Sequence, residues 1–520
     1  MLIGARSAPR AAQHEERSRP PDFDQPIRLY AAGLGTSKRS ISSPSAEARA
    51  YFNQGVQLMY AFAKAEAGRS FHEAQRRDPD CAICYWGEAW AWGPYVNGRM
   101  TAADASRAYA AIRSASALAE HHASPKERAY IDAMTLRYLE HFDPFDHGRE
   151  DRAYAEAMAR VAQRYPDDLD AATLYAEALF LLLPRPGAFD IANPDVAHLL
   201  SVLESALARD VRHPGACHLY VHTTELTTEP QRAAACAEHL GSAMPAASHL
   251  SHMPSHVWTR IGRWGDAVDA SLRAWETDRR AASGETFATY PAHDLQMLVF
   301  AACMDGQAAL AIRAAQGLTT LTGEPMYHAL ALVRLGRFNE MGTLGTRPAP
   351  DIQAGIWDFA QGYARLRGGD ASGARQSLAR VRAIADSSRA AFRFHPARTL
   401  LGVLAGVLDG EIQRAEGRLP EAIAAFEQAV AMDDALIIDD PEPLPFAARH
   451  WLGAALIEAR RFAEAERAYR ADLSRHPHNG WALVGLQQAL RAQGQATREV
   501  DDDLRRSWAR SDITIRASRF

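Results

Sequence analysis

One spacing recurs along this chain and constrains its fold more than any other feature. Gly55, Ala67, Phe71, Ala74 and Pro79 follow one another at intervals of 12, 4, 3 and 5 residues. Gly410, Ala422, Phe426 and Ala429 repeat the intervals 12, 4 and 3. Leu452, Gly453, Leu456, Ala465, Tyr469 and Pro477 form a third unit, Gly362, Ala374 and Leu378 a weaker fourth, and Ala267 with Ala274 a fifth. A small residue in a first helix lets a second helix pack closely against it. Repetition of that arrangement from residue 55 to residue 477 predicts stacked helix pairs rather than one closed core. Composition agrees, since Ala and Arg are abundant, Ile and Thr are sparse, and the former are the better helix formers.

These intervals are those of the tetratricopeptide repeat, a helix pair of about 34 residues. The chain resembles that superfamily over nearly all of residues 47–510. The resemblance implies an all-α, TPR-type α-solenoid: a right-handed superhelix of antiparallel helix pairs with a concave inner face. A less familiar bacterial group of long repeat proteins is also similar. The shared stretches are YFNQGVQLMYAF, DPDCAICYWGEAWAWGP, HPGACHLYVH, HLSHMPSHVWTRIGRW, YPAHDLQ, EPLPF and HNGWALVGLQQAL. That group has no settled activity, so the likeness implies a fold rather than a function. In that group the turn after YAF often carries a His; here it is Lys64.

The organisation expected is a disordered or loosely packed tail at 1–44, repeats over 45–510 and a short tail at 511–520. Insertions are expected at Phe142–Gly148, Leu183–Pro194 and, between two repeats, Met432–Phe446 (432–446). Lys+Arg is 58 and Asp+Glu 63, a net charge of −5 that argues against nucleic acid as the main partner. No apolar run reaches the ~20 residues of a membrane span. The first residues lack the apolar core of a secretory signal, so a cytoplasmic protein is expected. Five cysteines in a chain of this size argue against a disulfide framework. Cys81 and Cys84, spaced C-x-x-C, fall where a repeat needs small apolar residues and read as core packing. Oligomeric state is not readable.

Histidine is distributed unevenly. Seven of the 20 lie between His213 and His256, at 213, 218, 222, 239, 249, 252 and 256, and His293 follows. Pro214 suits a helix start, which puts His218, His222 and Glu225 at i, i+4 and i+7 on one face. Two imidazoles one turn apart converge on one ion. Pro254 reads as a second helix start, with His249 and His252 on the approach loop and His256 in the first turn. Pro291 repeats the arrangement for His293. His218 to His256 is 38 residues and His256 to His293 is 37, each close to one repeat, so stacking places these residues side by side. His328 follows as an outer member. Cys217 points about 100° away from the His218 face and is not counted as a ligand.

The candidate metal ligands are therefore His218, His222, His249, His252, His256 and His293, with Glu225. Imidazole suits copper, iron and zinc. Six His without Cys match, in ligand count only, paired-copper sites with three His per ion; a Glu225 ligand would instead favour iron. A small molecule or peptide is expected in the concave groove, with Glu442, Arg449 and Trp481 as candidate substrate-binding residues. Three readings follow: a metal-dependent redox enzyme, a scaffold binding a peptide or partner protein, and a zinc hydrolase or metal store. Nothing in the sequence names a reaction.

Overall fold

The structure, a computed structural model, describes residues 25–143, 146–184, 189–349 and 351–520. Residues 1–24 of the expected tail, and positions 144–145 and 185–188 inside two expected insertions, lie outside the described residues. The described residues are all-α apart from one short strand pair, and helices that are neighbours in the chain pack against each other. Among the described residues the named strands are one antiparallel pair, Ala391–Phe392 with His395–Pro396. Helix starts carry local signals. Ser45, Asp168, Asn193 and Asn479 each accept a backbone N–H of the first turn, and Ser124 with Glu127 forms a capping box ahead of Pro125. Glycine ends one helix, Ala308–Thr322, through Gly323 at φ 77°.

The recurrent spacing is a packing rule. Helix Ala46–Tyr60 lies on Lys64–Arg77, Ala397–Ala415 on Leu419–Asp434, and Arg449–Glu458 on Phe462–Arg475. A Cβ on Gly55 would come within 2.6 Å of the Phe71 ring, and one on Gly87, in the next repeat, within 2.4 Å. Tyr469 stands in the same way between Gly453 and Gly485, and Phe426 against Gly410. In these three units the aromatic ring of the second helix thus occupies the space that a missing side chain leaves on the first. Phe71 and Phe426 are both wholly buried. Phe71→Ala and Phe426→Ala are each expected to cost about 3–5 kcal/mol in denaturant unfolding. Costs below about 1 kcal/mol would show that these rings do not wedge the helix pairs.

The described residues fall into two compact units. The N-terminal unit holds residues 25–258 and Asp269–Asp294; the C-terminal unit holds Thr259–Val268 and Leu295–Phe520. In the N-terminal unit, residues 25–44 carry no helix yet are bonded in place. Ile27 and Leu34 are buried, Arg39 pairs with Asp170 at 3.2 Å, and the Ser42 backbone N–H donates to Glu127 at 2.8 Å. In the C-terminal unit, helix Leu419–Asp434 runs into the 432–446 insertion, which is irregular after it and returns where the Ala448 N–H donates to Asp433.

Two cysteine expectations are corrected. Cys81 and Cys84 form a disulfide across the first turn of helix Ala82–Trp92, where C-x-x-C spacing brings the Cα atoms to 5.4 Å. Cys217 bonds Cys236 on the adjacent helix Ala234–Ala243, with Cα atoms 5.1 Å apart. Its direction away from the His218 face is what aims it at that neighbour. Cys303 is buried and free.

Candidate metal centre

All six candidate histidines belong to the N-terminal unit, and three helix starts put them there. Pro214 is the first residue of helix Pro214–Thr224, capped by His213, whose Nδ1 accepts the Ala216 N–H at 3.1 Å. His218 and His222 follow on one face, and Glu225 is the C-cap. Pro291 begins helix Pro291–Asp305 and puts His293 in its first turn.

The expected loop at 249–252 is corrected. Helix Ser248–Arg260 starts before these residues, with the Ser251 N–H already bonded to the Ala247 carbonyl, and Pro254 lies inside it. Proline there leaves the Leu250 carbonyl without its helical N–H partner and crowds it with the ring, a cost that the helix bears. His249, His252 and His256 therefore stand at i, i+3 and i+7, on one helix face.

These faces meet in two triads. The ligating atoms of His218, His222 and His249 lie within 4.8 Å of one another, and so do those of His252, His256 and His293. The triads adjoin: ring centroids are 5.0 Å apart for His249 and His252, and 5.8 Å for His222 and His256. Five of the six rings are buried, and His293 is half-buried.

Second partners set the tautomers. A carbonyl only accepts, so at 2.6 Å from the Tyr60 oxygen His218 carries its proton on Nδ1 and turns the Nε2 lone pair inward. Glu225 does the same for one histidine of each triad, its Oε1 lying 2.8 Å from His222 Nδ1 and its Oε2 2.7 Å from His256 Nδ1. Glu225 thus stands behind one imidazole of each triad, the position of a carboxylate that orients ligating histidines. His249 lies between the triads, Nε2 at 3.0 Å from His218 Nε2 and Nδ1 at 3.2 Å from His252 Nε2. His252 Nδ1 faces Asp294 at 3.4 Å.

Burial first, then the neighbouring imidazoles, holds His218, His249 and His252 well below the ordinary histidine range, so they are neutral at pH 7. Glu225 sits far below the usual carboxylate range. Burial pushes it up, and His256 and His222 overcome that push. Burial, then Asp278 beside it, raises Asp294 well above the carboxylate range.

Phe62 is a residue that the repeat pattern does not mark. It follows helix Ala46–Tyr60 at φ 58°, an outlier for a bulky side chain. That conformation lays its ring against His218, His222 and His249, with centroids at 4.1, 5.7 and 5.1 Å. Tyr290 closes another side, 5.1 Å from the His249 ring, and its hydroxyl lies 2.5 Å from that of Tyr95. Lys64 is bonded to the Gly93 carbonyl and lies over the Tyr95 ring; burial pulls it down to about 8. A small cavity lies beside His218, lined mainly by Tyr60, Phe62, Trp90, Leu174 and Glu177.

The remaining candidates stand in the C-terminal unit, each engaged by a neighbour. Glu442 accepts from His476 Nε2 at 3.1 Å, Arg449 donates to Asp434 at 2.5 and 2.6 Å, and buried Trp481 donates to the Cys303 carbonyl at 2.9 Å. His328 also belongs to that unit.

No protein-family model and no curated protein matches the sequence. Among solved structures, the chain is similar to the TPR domain of P58(IPK), at 12% identity and a TM-score of 0.23, over 86% of this chain and 99% of that one. It is also similar to the human IFIT1 dimer with PPP-AAAA, at 10% identity and a TM-score of 0.29, over 90% of this chain and 92% of that one. Among the described residues no helix is long and apolar enough to cross a membrane.

Proposed function

We propose that the N-terminal unit holds a pair of transition-metal ions, each on three imidazoles, and that the protein is a metal-dependent oxidoreductase with copper as the favoured metal. The observation that carries this reading is the pair of adjoining histidine triads with Glu225 tied to one member of each. Buried neutral imidazoles with inward lone pairs are costly unless something accepts them, and a cation does so. With Glu225 taken as the orienting group, each triad offers three nitrogen donors, a set that favours copper over iron. Bound copper supplies one-electron chemistry, and two adjacent ions supply two electrons.

The chain's own residues hold the geometry. Tyr60 and Glu225 fix three ring orientations, Phe62 covers the first triad, and burial excludes water. For both His218 and His249 to offer Nε2 to an ion, the proton between those atoms would move to His249 Nδ1, a tautomer shift within neutral imidazoles, and uptake would weaken only in acid strong enough to protonate them. The two disulfides favour an oxidising compartment over the cytoplasm.

Elemental analysis of protein purified without a His tag is expected to find about two metal atoms per chain, three ligands to each. Chelation should lower the melting temperature, because an ion at a thousandfold excess over its Kd stabilises the fold by about 4 kcal/mol. A visible absorption band after exposure to air identifies copper or iron, and a loaded protein that stays colourless after oxidation identifies zinc. If the protein, challenged with each metal in turn, retains none, the redox reading fails and the scaffold reading replaces it.

A further inference from the structure

The segment following helix Arg498–Ser507 threads through the C-terminal unit as a ligand would. Residues 511–520 have no regular secondary structure. Asp512 caps helix Ala308–Thr322, accepting the Ala308 and Ala309 N–H groups at 2.6 and 3.0 Å. Beyond it, residues 518–520 engage six helices. The Ser518 hydroxyl donates to the His450 carbonyl at 2.5 Å and lies 2.8 Å from the Tyr469 hydroxyl. Arg519 pairs with wholly buried Glu411 at 3.0 Å. Tyr363 donates to the Phe520 carbonyl at 3.0 Å, and the Phe520 ring stands 5.9 Å from that of Trp481. Gly336 makes room for it, since a Cβ there would come within 2.7 Å of the Phe520 ring.

Arg334 forms part of the floor. It is 1% exposed, lies 3.5 Å over the Trp481 ring, and donates to the Ser518 carbonyl at 3.3 Å and to His450 Nδ1 at 2.9 Å. Among the described residues no carboxylate pairs with it, and its Nε has no partner. A buried guanidinium answered by neutral acceptors is a group aimed at backbone carbonyls, which any extended peptide offers. Beside it stand a buried carboxylate for a basic side chain and an aromatic face for an apolar one.

We propose that this lining is a peptide-binding site for extended segments of the pattern Ser-Arg-aromatic, occupied in cis by residues 513–520. The cis segment acts at the effective concentration of a tethered ligand, roughly millimolar, so a peptide in trans competes only when the segment is weakened or released. The site is independent of the histidine triads and stands whether or not they bind metal.

The test uses the full chain with Ser518, Arg519 and Phe520 replaced together by alanine, and a fluorescent synthetic peptide of residues 511–520. Anisotropy is expected to show saturable one-to-one binding, at least tenfold tighter than to the wild-type chain. Glu411→Gln in the triple variant should weaken it about tenfold. A helical triple variant that binds no peptide overturns the proposal. So does one that loses its helical content, because the segment is then core rather than ligand. Hydrogen exchange on the wild-type chain gives a second readout: amides of 513–520 should exchange faster than those of helix Arg449–Glu458. Exchange of both only by global unfolding overturns the proposal as well.

Discussion

Replacing His218 and His256 together by alanine is expected to abolish tight metal binding and leave helical content unchanged. The two residues belong to different triads, so the pair of substitutions leaves two imidazoles for each ion. Alanine is the best helix former and both positions lie within helices, so far-ultraviolet circular dichroism should not change. Glu225→Gln separates orientation from ligation. The amide keeps the shape but provides one acceptor oxygen where two are used, and loss of such a partner typically weakens affinity 10–100-fold. Because Glu225 touches His222 and His256, both ions should weaken together. A double histidine variant that keeps its full metal complement would show that the ions sit elsewhere. A Glu225→Gln protein with wild-type affinity would show that the carboxylate orients nothing.

What the sequence made legible follows from what repeats. The interval from Gly55 to Phe71 is a contact between a missing Cβ and a ring, and it recurs at Gly410 with Phe426 and Gly453 with Tyr469. The six histidines were visible because metal-type spacing and repeat spacing coincided. Three features were not visible, each for a physical reason. The Tyr60 carbonyl that fixes His218 is a backbone atom, and backbone atoms leave no residue signature. Pro254 looked like a helix start because proline favours that place, yet the preceding turn forms without its N–H. The Cys217–Cys236 disulfide has no sequence signature either, because the direction of Cys217 on its own helix does not say which residue the adjacent helix places opposite it.

The C-terminal unit should be most stable near pH 6.5, and His476 should set its alkaline limb. His476 lies between two carboxylates, Nδ1 at 3.0 Å from Asp472 and Nε2 at 3.1 Å from Glu442. Burial opposes its charge, but Glu442 and Asp472 push it up to about 10. Arg475 stands 3.6 Å from the same Glu442, and Asn479 donates to Asp472 at 2.9 Å. The folded value exceeds the unfolded one of about 6.5, so this stabilisation is complete below pH 6.5 and disappears as pH rises through about 10. His450 has the opposite sign. Burial pulls it down to about 4 despite Asp472 at 2.9 Å, so stability falls as pH drops from about 6.5 through 4. Glu442, held at about 2 against burial by His476, loses its contribution only in stronger acid. His476→Gln leaves two carboxylates facing each other without a cation between them, and is expected to cost about 3–5 kcal/mol at neutral pH. Urea unfolding followed by tryptophan fluorescence, at pH 6.5 and 9.5, reads the effect through Trp451 and Trp481 in the same unit. Wild type should lose stability between the two pH values and the variant should lose far less. An unchanged alkaline slope in the variant would assign that limb to other groups.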